Sequence, residues 1–576
     1  MYNAKLAEMF EEIADMLELE PNATKFEPLA YRRAAITISS LQEDVVDIYK
    51  KEGIDGLMKL PGIGKTIANA IKEYIETGKI SKYETLKAKY PIDFLGLTKI
   101  QGLGPKRIYK LYVSLGVKNL EDLRKAITEH RIRMLPGFGE KSEKELEKGI
   151  ELLEASKGRV LLGEALPEAE DLIKKLLSSG LVDKAVVCGS TRRMKETVGD
   201  LDILVISEKP LEVMDYVTKL SNVEHVIVKG PTKTTVWLNI GLSCDVRVVE
   251  KGSFGSAMQY FTGSKEHNIK LRELAIKKGY KLNEYGLFDS SDKNVALNQD
   301  EHFIYEKLGL DYIEPEMRED RGEIELAIEH RLPKLIDISD IRGDLHMHSK
   351  HSDGANEIEE MVLSAIKLNR EYIGMSDHSK TEHVANGMSD EEFLKYFDEI
   401  DKLNDKFEGK IRILKSGEVD ILKDGSFDLR DSTLEKMDYV IGAIHTNTNM
   451  SKEEMTNRIL KAITSNKMNI LAHPMGRLIN ERKPIEADWD KIFEAAKDHN
   501  VIMEIDAHPK RLDLNDEMIL KARKYGIKFS IDTDSHRTDE LSFMRFGVGT
   551  ARRGWLEKDQ VINTLPLDKI LKLFGH

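Results

Sequence analysis

Cys188-Gly189-Ser190-Thr191-Arg192-Arg193, followed shortly by Gly199-Asp200-Leu201-Asp202-Ile203-Leu204-Val205, is the stretch on which the reading of this chain turns. Asp200 and Asp202 alternate with apolar residues, so as positions i and i+2 of a strand they project from one face. A third carboxylate, Asp245, lies in a second strand-like run, Ser243-Cys244-Asp245-Val246-Arg247-Val248-Val249. Three carboxylates converging on one sheet edge can hold two Mg2+ or Mn2+ ions about 4 Å apart, one activating a hydroxyl and one stabilising a leaving pyrophosphate. Gly189 and Ser190 would cradle phosphate oxygens ahead of a helix, with Arg193 as a cationic clamp. Acidic strand ends facing water would account for Asp245 alone. They would not account for Gly-Ser, Asp-x-Asp and Asp in succession.

Around this stretch the chain runs to 576 residues, more than one core serves, and about three to five domains follow from roughly 100 to 200 residues each. With 41% hydrophobic and 32% charged residues it is expected to be globular and soluble. No apolar run approaches the ~20 residues of a membrane helix, and the first residues, MYNAKLAEMFEEIADMLELE, read as an acidic helix rather than a signal peptide. A cytoplasmic protein with no membrane partner is expected. Cys188 and Cys244 are the only cysteines, so a metal site must be built from histidine and carboxylate. The net charge of −13 argues against nucleic acid, but it is an average over opposed regions. Residues 51–150 hold 20 Lys+Arg against 13 Asp+Glu, net +7, while residues 301–400 hold 11 against 25, net −14. The last 233 residues hold 11 of the 16 histidines. The front is therefore the phosphate-binding part and the back the metal-binding part.

The basic segment contains a repeat. Leu60-Pro61-Gly62-Ile63-Gly64-Lys65, Ile100-Gln101-Gly102-Leu103-Gly104-Pro105-Lys106 and Leu135-Pro136-Gly137-Phe138-Gly139-Glu140-Lys141 share an apolar residue, two glycines one apart, a lysine and a following helical stretch. This is a helix-hairpin-helix signature. Its glycines bring bare N–H groups to the start of the second helix, where the dipole favours an anion, and the lysine adds a point charge. The target is a nucleic-acid phosphate, so the contact carries no sequence information. One such turn would mean little, but three in tandem in a basic, helical region (residues 1–155) point to DNA.

Near the other end, Gly343-Asp344-Leu345-His346-Met347-His348-Ser349-Lys350-His351-Ser352-Asp353-Gly354 puts His346 and His348 on one face of a strand, with Asp353 in the following turn. Met375-Ser376-Asp377-His378, Gly417-Glu418-Val419-Asp420, Gly442-Ala443-Ile444-His445, Leu471-Ala472-His473-Pro474 and Asp532-Thr533-Asp534-Ser535-His536 each end an apolar, strand-like run, with helical stretches between. Polar residues at the C-terminal ends of many strands are what a β/α barrel presents. Such a set suits two or three Zn2+ or Mn2+ ions that activate water against a phosphate ester.

Gly189-Ser190, Gly199-Asp200-Leu201-Asp202, Asp245 and Tyr260-Phe261-Thr262-Gly263-Ser264 resemble a family X DNA polymerase of the nucleotidyltransferase superfamily, over about residues 1–315. The resemblance implies that Asp200, Asp202 and Asp245 bind the catalytic metals, with Asp245 taking the proton from the primer 3′-hydroxyl. It implies triphosphate contacts at Gly189, Ser190, Arg193 and Gly199, and sugar contacts at Tyr260, Phe261, Thr262 and Gly263. Asn268 and Arg272 fall where the family meets the nucleotide's minor-groove edge and the template. Lys265 and His267 depart from the family's commoner sequence. Family members that excise a 5′-deoxyribose phosphate use a lysine on the second helix of the first hairpin. Ala70 stands there, and Lys72 should point away, so weak or no lyase activity is expected.

The back resembles the polymerase and histidinol phosphatase (PHP) domain, which implies the nine ligands His346, His348, Asp353, His378, Glu418, His445, His473, Asp534 and His536. Arg511, beyond His508, is placed to meet a substrate phosphate. Together the two resemblances imply a multidomain chain. An α-helical DNA-binding region spans 1–85 and fingers with two further hairpins span 86–157. An α+β nucleotidyltransferase palm spans 158–250, a thumb 251–315, a linker 316–338 and a distorted β/α barrel of the PHP type 339–576. The DNA contacts would come from Gly62, Gly64, Lys65, Gly102, Gly104, Lys106, Gly137, Gly139 and Lys141. The expected activity is template-directed gap-filling synthesis in DNA repair, from deoxynucleoside triphosphates on gapped or primer-template DNA, by a monomer. The PHP domain would add a metal-dependent 3′ to 5′ exonuclease and extend to abasic-site cleavage or 3′-phosphate removal. A phosphoesterase with a decayed palm, or a DNA-binding scaffold, would require site residues to be missing. All three palm carboxylates and all nine PHP ligands are present.

Overall fold

The computed structural model describes residues 2–24, 26–41, 44–98, 100, 103–155 and 158–575. As the periodicity predicts, the described residues up to Ala155 form helices around one apolar core, from Leu6 and Phe10 through Ile67 and Ile71 to Leu146 and Ile150. The second glycine of the first motif, Gly64, is the N-cap of α1 (Lys65–Thr77), and Gly104 is that of α2 (Pro105–Leu115). Gly139 immediately precedes α3 (Glu140–Ala155). The first glycine turns the chain in the left-handed region, at φ 69° for Gly62 and 81° for Gly137, which only glycine adopts without strain.

A helix, α4 (Leu162–Ser178), leads into a five-stranded mixed sheet. Its strands are β1 (Lys184–Val187), β2 (Asp200–Ile206), β3 (Val223–Lys229), β4 (Lys233–Leu238) and β5 (Ser243–Val249), in the order β1-β2-β5-β4-β3. Alternate residues of β4 are buried, and β2 is apolar nearly throughout because α4 covers one face of it and the helix at Phe254–Thr262 the other. The central pair, β2 and β5, is parallel and in register, with Asp200 opposite Ser243 and Asp202 opposite Asp245. Side chains paired this way share a face about 5 Å apart. Beyond the sheet, α5 (Phe254–Thr262) and α6 (Lys265–Lys277) meet at Gly263-Ser264, with Ser264 capping α6 through the His267 amide.

Residues 316–338, expected as a linker, join this region to the last domain and are tightly packed in part. Arg318 and Glu323 have no exposed side-chain surface: Arg318 pairs with Glu301 and Glu323 with His267.

The last domain has two parallel sheets. One comprises β6 (Gly343–Asp344), β7 (Tyr372–Met375) and β8 (Arg412–Lys415); the other comprises β9 (Glu418–Asp420), β10 (Ile441–Ala443), β11 (Ile470–Leu471), β12 (Ile502–Asp506) and β13 (Phe529–Asp532). Single parallel bridges, Met347 with Ser535 and His378 with Glu418, join the sheets at both seams and close a distorted barrel. The strands are short, continuous and buried, as parallel strands covered on both faces must be. Ser389 with Glu392 and Ser451 with Glu454 form capping boxes that start two of the outer helices. Two further helices matter here: α7 (Met544–Arg553), against β12 and β13, and α8 (Leu567–Phe574), whose Phe574 stacks on Tyr439 at the barrel floor.

The palm core is not closed on itself. Ile479, Leu512 and Phe546 of the barrel belong to the same apolar cluster as Leu201, Val205 and Leu238, and Trp555 joins the thumb core. Among the described residues no helix is long and apolar enough to cross a membrane.

Candidate functional sites: a carboxylate cleft and a histidine-rich barrel mouth

Asp200, Asp202 and all ten residues expected to touch the nucleotide line one cleft of about 450 Å3, between the end of the sheet where β2 begins and the α5–α6 corner. Gly189 turns at φ 62°, and a Cβ there would stand 2.6 Å from the Asp202 carboxylate, so the glycine leaves that carboxylate its room. Asp245, the register partner of Asp202, is not part of the cleft lining. Its carboxylate accepts from Thr235 Oγ1 at 2.6 Å and pairs with Lys233 Nζ at 2.6 Å. Burial, then the Asp200 and Asp245 carboxylates, push the Asp202 carboxyl up to about 6. That mutual repulsion and the all-oxygen donor set fit a divalent cation of the Mg2+ kind.

Arg193 is held before any ligand reaches it: its Nε donates to Glu319 at 3.0 Å and its Nη1 to the Thr262 carbonyl at 2.5 Å. Asn268 accepts from Gln259 and donates to the Tyr260 carbonyl at 2.7 Å, and Arg272 bonds the Asn268 carbonyl. His267 is buried between Glu323 and Tyr305, at 2.8 and 3.0 Å, and burial lowers its pKa. It supports the thumb rather than the cleft. Sequence reasoning assigned no cleft role to Arg159 or Lys195 and marked Lys265 only as a departure from the family's commoner sequence, although all three line the cleft. An isolated cation in a charged loop gives no periodic or motif signal.

In the barrel the nine expected ligands gather at the C-terminal mouth of the strands. Ligand atoms of His346, His348, Glu418 and Asp534 lie within 4.8 Å of one another, as do those of His348, Asp353, His378 and His536, and those of His378, Glu418 and His445. His473 Nε2 stands 2.8 Å from Glu418 Oε1, so Glu418 meets five of the imidazoles, those of His346, His348, His378, His445 and His473. His346 Nε2, His348 Nδ1, His378 Nδ1, His445 Nε2, His473 Nδ1 and Glu418 Oε2 are buried without a hydrogen-bond partner. Leaving so many polar atoms unpaired is costly unless they ligate something, so the donor set fits several cations with a preference for nitrogen ligands. His473 and Asp534 sit at φ 25° and 48°, a strained conformation for residues other than glycine that clusters at functional sites.

A layer of carboxylates that sequence reasoning did not assign holds this set in place. Glu504 accepts from His346 Nδ1 at 2.6 Å and from the His473 amide at 2.5 Å, and burial raises its pKa to about 7. Asp420 lies 3.2 Å from His445 Nδ1, and Asp377 accepts from Ser349 and Ser352 in the turn that carries Asp353. Burial would keep His445 neutral, but Glu418 and Asp420 outweigh it and raise its pKa to about 10. Burial, with His536 and His378, lowers His348 to about 4. The available signal was that Glu504 and Asp506 interrupt an otherwise apolar strand. Arg511 lies half-buried beside Asp506 and Asp534, with its Nη1 enclosed and unpartnered.

At the hairpins, a Cβ on Gly64, Gly104 or Gly139 would meet nothing within 4 Å, so each helix start is open to an incoming group. Lys65, Lys106 and Lys141 are exposed beside them. Gly102 lies outside the described residues. The first turn of α3 carries Glu140 and Glu143, whereas those of α1 and α2 carry no acid. Ala70 is buried on α1, while Lys72 is partly exposed near Glu76.

Family profiles match four parts of the chain: a helix-hairpin-helix domain at residues 1–80, a SAM-like helix-hairpin-helix tandem at 94–148, the DNA polymerase beta thumb at 257–319 and the PHP domain at 344–508. The chain is 37% identical over 572 residues to the DNA polymerase/3′-5′ exonuclease PolX of Bacillus subtilis (strain 168), covering 99% of both chains. It is 29% identical over 301 residues to DNA polymerase lambda of Arabidopsis thaliana, 46% of this chain and 54% of that one. Over 232 residues it is 29% identical to a probable phosphatase of Thermoanaerobacter sp. (strain X514), 38% of this chain and 89% of that one.

Proposed function

The chain belongs to the family X DNA polymerases that carry a C-terminal PHP domain, and from that premise we propose that its two sites divide the work of a DNA polymerase and 3′ to 5′ exonuclease between them. The palm cleft fills short gaps from deoxynucleoside triphosphates under template direction, and the barrel mouth trims 3′ ends. The observation that carries this reading is that one cleft gathers Asp200, Asp202 and every expected nucleotide contact, while the nine residues expected as ligands gather separately at the barrel mouth. Both sets come from a single chain, which supports a monomer as the acting unit.

Asp200, Asp202 and Asp245 would hold Mg2+ or Mn2+, and the nine barrel residues two or three Zn2+ or Mn2+ ions. Bound cations supply Lewis-acid stabilisation of phosphate charge and a lower pKa for the attacking hydroxyl or water. The remaining work belongs to the chain. Ser190 and the Gly189 amide cradle phosphate oxygens, and Arg193, fixed by Glu319 and Thr262, adds a preset positive charge. Asp245 takes the proton of the primer 3′-hydroxyl, with Lys233 balancing its charge. The corner from Tyr260 to Gly263 packs on the sugar, where backbone leaves no room for a 2′-hydroxyl. In the barrel, Arg511 meets the substrate phosphate with its unpartnered Nη1. The hairpins bind backbone phosphates, chiefly the first two, because acids in the first turn of α3 oppose an anion there.

Primer extension across a one-nucleotide gap and digestion of a single strand, measured on one preparation, test the assignment. Both are expected, and EDTA should stop both; a pure, folded protein lacking either activity would contradict it. Abasic-site cleavage and 3′-phosphate removal fall within the barrel's chemistry and can be read on the same preparation. Lyase activity is not part of the proposal, since Ala70 offers no amine. Borohydride trapping on DNA with a 5′-deoxyribose phosphate should yield no efficient adduct within residues 60–80.

A further inference from the structure

We propose that Arg553, a residue of the PHP barrel, is a positioning residue for the palm's nucleotide site, acting through Glu319 and Arg193. The inference rests on the reading that Arg193 holds a nucleotide phosphate. Arg553 ends α7, and its side chain is only 4% exposed. Its Nη1 donates to the Arg193 carbonyl oxygen at 2.7 Å and to Glu319 Oε1 at 2.9 Å, and its Nη2 donates to Asp516 at 2.7 Å. The same Glu319 oxygen accepts from Arg193 Nε at 3.0 Å. One carboxylate oxygen thus ties a barrel guanidinium to a palm guanidinium, and the barrel residue also grips the palm residue's own backbone.

The backbone grip falls on a strained turn. Met194, next after Arg193, sits at φ 54°, in the left-handed region that an unbranched residue occupies only when its surroundings hold it there. Those surroundings are α7: a Cβ on Gly549 would stand 2.6 Å from the Met194 side chain, so the helix has a glycine where it meets the turn. Arg553 fixes the peptide on one side of Met194 and Gly549 admits the side chain on the other. Arg193 therefore lines the cleft in a conformation set partly by a domain whose own metal ligands lie elsewhere. Charge points the same way. Glu319 and Asp516 are each shared by more than one cation, with Arg321 also 3.0 Å from Asp516, so removing Arg553 leaves Glu319 free to pull harder on Arg193 and Lys195, the latter already 4.0 Å away. A clamp more tightly held by a carboxylate has less positive charge to offer a phosphate. The physical consequence is that the barrel contributes to nucleotide binding even when its nuclease chemistry is disabled.

The test is gap filling by the full-length chain, with KM for the deoxynucleotide and kcat measured separately and single-strand digestion read in parallel. Arg553→Met should raise KM by about tenfold while kcat and digestion change by less than about threefold. Arg553→Lys, which keeps the charge and one donor, should recover part of the loss. In an Arg193→Ala background, Arg553→Met should add no further increase, because the two act through one contact. An unchanged KM in Arg553→Met, additive effects in the double variant, or gap filling and digestion falling together would overturn the proposal. If Arg553→Met does not fold, Arg553→Gln, which can still donate to the Arg193 carbonyl but loses the charge that balances Glu319, reports on the same contact: it should raise KM too, and an unchanged value is equally fatal. A parent-like KM in Arg193→Ala itself would remove the reading of the cleft on which the inference rests. A raised KM there with a parent-like KM in Arg553→Met would remove the inference alone.

Discussion

In the palm, Asp200 stands exposed at the tip of β2 and Asp245 is occupied by Lys233 and Thr235, whereas in the barrel His346 and His348 have no exposed surface and His346 is oriented from behind by Glu504. The palm presents a few oxygens on an open sheet edge and leaves the rest of a cation's coordination to come from substrate. The barrel supplies a nearly complete, nitrogen-rich set, with His346 fixed by Glu504 and His445 by Asp420. The difference follows from the task. A polymerase site must admit a new nucleotide and release pyrophosphate at every step, and a phosphoesterase site keeps its cations between turnovers.

The contrast breaks most sharply at the palm carboxylates. Asp200→Ala with Asp202→Ala removes the donors of the cation pair, worth several kcal/mol, so extension should fall on the order of a thousandfold while 3′-end digestion persists. Retained extension, measured by single-turnover gap filling, would show that the cleft is not the polymerase centre. A smaller effect is expected behind the barrel. Glu504→Gln cannot draw the Nδ1 proton of His346 as a carboxylate does, so metal content and digestion should drop about 10- to 100-fold with extension unaffected. Elemental analysis alongside both assays checks this; full metal content in the variant would mean that Glu504 orients nothing.

Much of this was legible in the sequence because both sites are made of short motifs on strands. Asp-x-Asp places two candidate ligands on one face by the period of β2, His-x-His does the same in the segment just beyond β6, and Gly189 announces a tight turn. The hairpins were legible through their repetition, although Gly102 lies outside the described residues. What the sequence could not disclose are contacts between residues far apart in the chain. Glu319 meets Arg553 and Arg193 across 234 and 126 positions, with no shared motif. Residues 316–338 read as a linker or connecting helix, and a helix does form at Glu323–Ile328, but charge in a sequence carries no label saying whether it is paired; Arg318 and Glu323 are charged and wholly enclosed. Glu504 was hidden for the related reason that a buried carboxylate on a strand resembles an interruption of the apolar pattern until its imidazole partner, 158 positions away, is seen.

The least effect concerns pH. The Asp202 carboxyl, held up to about 6, is charged above that value and takes up a proton below it. A cation must displace that proton, so the palm's affinity for Mn2+ should fall about fourfold between pH 7.5 and 5.5. Mn2+ titration of a chain lacking the barrel ligands would isolate the palm; a flat profile over that range would mean that the three carboxylates do not share one field.

The central claim is that two metal centres in one chain carry two separable reactions. Its most direct test is the variant His346→Ala with His348→Ala, assayed for metal content, single-strand digestion and gap filling on one folded preparation. The account predicts a loss of bound metal and of digestion, with nucleotide addition largely intact. Loss of both activities in a variant whose circular dichroism matches the parent, or digestion that survives without the two histidines, would contradict it.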